Sequence, residues 1–111
     1  MNDAHHKAVD FMRDNAPALA KAKSQRVYLE EFRKSKKALL TKDAMLQKIE
    51  AANAQEREAY AHPEYLELLN GLAAAIEAEE TLRWRMEAAR LRVEIWRTES
   101  ANNRMVDRAH E

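Results

Sequence analysis

The sequence predicts an all-α protein: a short N-terminal helix followed by a long, coiled-coil-like antiparallel helical hairpin. Three observations carry that expectation. Glycine occurs once and proline twice in 111 residues, which leaves little to build turns from. The remainder is rich in Ala, Leu, Glu, Lys, Arg and Gln, the strongest helix formers. Apolar residues recur at steps of three, four and seven and never alternate over a strand length.

The first element is short. Asn2 or Asp3 caps it, and Ala4, Ala8, Phe11 and Met12 share one side. Pro17 disfavours helical geometry at Ala16, so this helix is expected over residues 1–15. A second helix then starts at Pro17 with Asn15 as its cap and runs to Ala61. Its stripe comprises Val27, Tyr28, Leu29, Phe32, Leu39, Leu46, Ile49 and Tyr60, with a weak point at Thr41–Asp43. Ala61-His62-Pro63 is the clearest turn, and a third helix follows over residues 63–108. Leu66, Leu69, Leu72 and Ile76 form its first stripe; Leu82, Met86, Ala89, Val93 and Trp96 form its second. Gly71 sits inside the first stripe as a tolerated helical glycine. A hairpin turning at residue 62 pairs positions that sum to about 124, such as Leu46 with Ala78 and Lys42 with Leu82. One stripe per helix leaves too many large aromatics for a single seam. Association into a homodimer or higher bundle is therefore expected.

Net charge is zero, yet the charge is sorted. Residues 21–42 carry +6, from Lys21, Lys23, Arg26, Arg33, Lys34, Lys36, Lys37 and Lys42 against Glu30 and Glu31. Residues 43–80 carry −7. Such a block attracts phosphates or acidic partners at a distance. Lys36 and Lys37 have no acidic residue three or four positions away, whereas Arg83, Arg90 and Arg97 have glutamates at that spacing. Arg85 and Arg92 also lack local acids and flank the Leu82–Ala89–Trp96 stripe, where coiled-coil edge residues reach a partner helix. The candidate nucleic-acid-binding residues are thus Arg33, Lys34, Lys36, Lys37, Lys42, Arg85 and Arg92. The bland alternative is a solvated helix face. Trp84, if exposed, would serve as a partner anchor or a base-stacking platform.

Other chemistries find little support. No cysteine is present, which removes disulfides and thiol nucleophiles. No apolar run is long enough to span a bilayer, and the N-terminus does not read as a secretory signal. His5 and His6 are adjacent and so cannot form the i, i+4 pair of zinc helices, and no Glu-x-x-His pair exists for a di-iron site. The expectation is no metal, no cofactor and no catalysis.

The run Val27-Tyr28-Leu29-Glu30-Glu31-Phe32-Arg33-Lys34-Ser35-Lys36-Lys37-Ala38-Leu39-Leu40, with the later Glu58-Ala59-Tyr60-Ala61-His62-Pro63-Glu64-Tyr65, resembles small helical proteins of tailed phages and prophages. Those proteins lie near early-region DNA recombination genes, and the resemblance covers most of residues 5–108. It implies an accessory protein of DNA transactions or a host-directed inhibitor, in the host cytoplasm, and supplies no site residues. The expected function is therefore nucleic-acid binding, to single-stranded DNA first of all, through a basic hairpin end. The alternatives are a protein-interaction module docking on a host or phage enzyme, or a structural coiled-coil component.

Overall fold

Backbone hydrogen bonding in the structure, a computed structural model that describes residues 3–110, closes into three helices. They are α1 (Ala4–Leu46), α2 (Ala52–Ala61) and α3 (Pro63–Ala109), and no strand occurs among the described residues. The all-α expectation holds. The expected helix boundaries hold only in part.

Pro17 lies inside α1 and does not begin a new helix. A proline there removes the bond to the Arg13 carbonyl, at a cost of about 3 kcal/mol in a helix interior. Pro17 is exposed, so water can reach the carbonyl it orphans. Asn15, expected as a cap, instead turns its side-chain amide back to donate to the Phe11 carbonyl at 3.0 Å. The helix also runs unbroken through Thr41–Asp43, where the Thr41 hydroxyl donates to the Lys37 carbonyl at 2.8 Å.

The break comes later, at residues 47–51, which hold neither glycine nor proline. Lys48 adopts φ 68°, the left-handed conformation usual for glycine after a helix. Its N–H donates to the Met45 carbonyl at 3.0 Å, and the Ile49 N–H donates to the Ala44 carbonyl at 3.2 Å. That pair of bonds is a Schellman motif. The Gln55 amide then donates to the Ile49 carbonyl at 2.7 Å and ties the loop to α2.

A second helix break falls at His62, where the sequence placed the hairpin turn. The reversal itself lies at residues 47–51, and His62 only separates α2 from α3. Its Nδ1 accepts the Glu64 N–H at 3.1 Å, so His62 caps α3 while Pro63 occupies the first helical position.

The chain forms two compact units, one of Lys21–Glu79 and one of residues up to Ala20 together with those from Glu80 onward. Within Lys21–Glu79, α1 and α3 run antiparallel. Arg26 meets Glu79, Leu40 meets Tyr65 and Lys36 meets Glu64, sums of 105, 105 and 100. The expected sum of 124 is therefore wrong by about 20. Residues 47–51 form the reversal, and α2 packs back on α1, with Ala59 beside Leu40 and Glu56 beside Lys37. Ala78 shares a groove with Ser24, Gln25 and Tyr28, while Leu46 is 71% exposed.

The cores are thin and alanine-rich. Ala8, Ala22, Leu40, Ala44, Ala59, Tyr65, Leu72 and Ala89 are buried, and Leu40, Ala59 and Tyr65 form one cluster with Leu69 packed against it. Small side chains at a helix crossing let the backbones approach closely. The large stripe residues Val27, Tyr28, Leu39, Leu46, Tyr60, Leu66, Ile76 and Trp96 remain exposed.

Two substitutions read these backbone findings in chemical denaturation. Lys48→Gly should raise stability by about 1 kcal/mol, because glycine adopts the left-handed conformation without a Cβ penalty. Pro17→Ala should stabilise by up to about 3 kcal/mol, since it restores an interior helical bond; a proline that began a helix would leave stability unchanged.

Candidate functional site

The basic segment of α1 lies in the Lys21–Glu79 unit, and so do the acids that answer it. Lys36 Nζ sits 3.0 Å from a Glu64 carboxylate oxygen, and Lys37 Nζ donates to Glu56 at 2.9 Å. Arg26 forks between Glu30 on its own helix, at 3.0 Å, and Glu79 on α3, whose side chain is 12% exposed. Both lysines lack acids within a helical turn, so their partners arrive across the fold. The inference that Lys36 and Lys37 are unneutralised is thereby overturned.

These pairs leave their mark on protonation. Lys36 holds the Glu64 carboxyl below the ordinary carboxylate value, first by hydrogen bonding and then by charge. Tyr60 and then Glu56 push the Lys37 ammonium upward. Glu79 and then Glu30 do the same for Arg26.

Of the seven candidate cations, Arg33, Lys34 and Lys37 come together. They line one cleft with Tyr60 and Tyr65. The two tyrosine rings meet edge to face at 5.3 Å, and Lys37 Nζ stands 4.6 Å from the Tyr60 ring centroid. Lys34 pairs with Glu31 at 3.3 Å in a fully solvated setting, where such a contact is weak. Arg33 and Lys42 are exposed and make no ion pair among the described residues.

Arg85 and Arg92 belong to the other unit. There, Arg83 pairs with Glu80 at 2.6 Å, Arg90 with Glu87 at 2.6 Å and Arg97 with Glu94 at 3.2 Å, each one turn away. The local neutralisation read from spacing is realised, with Glu80 in place of Glu79 for Arg83. Arg85 and Arg92 make no ion pair among the described residues, and both line a groove with Lys7. Trp84 is 63% exposed with the Arg83 guanidinium over its ring at 5.4 Å. His5 stacks on Trp96 at 4.1 Å, an arrangement that helical periodicity does not announce.

Among the described residues no three potential metal ligands converge, and no helix is long and apolar enough to cross a membrane. Compared with protein-family models, curated proteins and solved structures, the chain matches none.

The cross-helix pairs predict a pH-dependent coupling. A double-mutant cycle on Lys36 and Glu64 should show favourable coupling near neutral pH. The folded carboxyl titrates below its unfolded value of 4.5, so the contribution is complete above that value and is lost as pH falls through the folded one. Urea denaturation near neutrality and at successively lower pH is the measurement, and the coupling should fade as pH falls.

Proposed function

We propose that this chain is a non-catalytic helical interaction module that covers its apolar faces by association, first with a second copy of itself. The observation that carries this reading is the inverted placement of apolar residues. Alanines fill the seams, while Tyr28, Leu39, Met45, Trp84, Ile95 and Met105 are all more than half exposed. Exposed apolar area on this scale marks a binding surface. Half of the basic block, Arg26, Lys34, Lys36 and Lys37, is meanwhile engaged by the chain's own acids, which weakens its pull on an external polyanion.

Light scattering at micromolar concentration should give a mass that is a multiple of 12.9 kDa. Tyr28→Glu and Trp84→Glu should lower it without loss of helicity. A 12.9 kDa species persisting at high concentration would remove the self-association reading.

One observation favours a second reading, single-stranded nucleic-acid binding in an accessory role. The cleft of Arg33, Lys34, Lys37, Tyr60 and Tyr65 combines cations with aromatic faces, the pairing that holds phosphates and stacks bases. Arg33→Ala with Lys34→Ala should flatten the dependence of log affinity for an oligothymidine on log salt by about 0.7 per lost contact. Absence of binding by the wild-type chain at low salt would dismiss this reading.

A further inference from the structure

The unit containing residues 3–20 and 80–110 carries an open groove between α1 and α3. Its floor is apolar, formed by Ala4, Ala8 and Phe11 from α1 and by Ala88 and Ala89 from α3. Its rim is cationic, with Lys7 on one wall and Arg85 and Arg92 on the other. All three are exposed, and none makes an ion pair among the described residues. Arg83, Arg90 and Arg97, on the same helix, are each held by a glutamate one turn away. The groove therefore brings three uncompensated cations to one apolar cleft.

We propose that this groove seats an acidic amphipathic helix of a partner protein. The alanines allow a third helix to approach two antiparallel ones at the 8–10 Å typical of close packing. Arg85 and Arg92 lie seven residues apart, two helical turns or about 10.5 Å, so the partner presents carboxylates at the same interval. A further acid on its other flank meets Lys7. The positive character ends beyond Arg92, where the groove continues past Ile95 and Trp96 to Glu99. An alanine floor favours an apolar helix face over a nucleic acid, because a sugar-phosphate chain gains nothing from burying methyl groups. Charges placed at the edges of an apolar seam set partner choice and orientation, as in coiled coils. This inference rests on the reading of the chain as an interaction module and names its partner.

The test uses the full chain and a fluorescein-labelled synthetic helix about three heptads long, with Leu and Ala on one face and Glu on its flanks. A control peptide carries Lys in place of Glu. The acidic peptide should bind, more weakly as salt rises, and the Lys peptide should not. Arg85→Glu with Arg92→Glu should weaken binding about tenfold or more. Ala88→Trp, which fills the floor and leaves the charges alone, should also weaken it. If the charge-reversed protein loses helicity by circular dichroism, Arg85→Gln with Arg92→Gln carries the test. No binding to the wild-type chain, or equal binding to all variants, would overturn the proposal. So would displacement by oligothymidine with the same sensitivity to these variants, which would assign the rim to phosphates. An oligomeric wild type that ignores the peptide refutes the groove and leaves the module reading standing. A monomer that ignores it refutes both.

Discussion

Everything in this fold depends on where α1 is made to stop. The Schellman turn at Lys48 places the reversal some 14 residues before Pro63, and that offset sets the register of α3 on α1. With the reversal there, the 64–79 stretch of α3 meets the 26–40 stretch of α1. The basic segment thus faces the acidic one. A helix continued to Ala61 would have set the same basic residues beside 82–103. The turn holds without glycine, although a left-handed lysine costs about 1–2 kcal/mol. Two backbone hydrogen bonds, from the Lys48 and Ile49 N–H groups, offset that cost.

Register decides the electrostatics in turn. Lys36 and Lys37 are helix neighbours that point to different acids, Glu64 on α3 and Glu56 on α2. Together with Arg26 and Glu79 they clamp three helices within one unit. Solvent-exposed pairs contribute little individually. Their larger effect is on specificity, since a shifted register would oppose unlike partners and leave charges unanswered. The sorted charge of this chain is thus read first by the chain itself.

Apolar side chains follow the opposite logic. The seams accept mostly alanine, so they bury little area per residue, at about 25 cal/mol per Å². Beyond Leu40, Tyr65 and Leu72, many of the aromatics and large aliphatics that would stabilise a lone domain lie outside. Lys7, Arg85 and Arg92, which the fold leaves without acids, rim one apolar groove in the same way. On the proposed reading, both placements direct binding capacity outward.

What the sequence by itself determined are the features whose causes lie within a helical turn. The all-α class follows from composition, the helix break at His62–Pro63 from proline chemistry, and the Arg90–Glu87 and Arg97–Glu94 pairs from spacing. Two local readings failed even so. Pro17 is absorbed by a helix that continues on both sides of it, and Lys48 breaks one with no glycine or proline to mark the place. Only the tertiary structure decided the register, the partners of Arg26, Lys36 and Lys37, and which apolar residues stay outside. Those outcomes depend on residues 19 to 53 positions apart, as in Lys37–Glu56 and Arg26–Glu79. Periodicity places a residue on a face of its own helix; only the packed neighbour determines what that face meets.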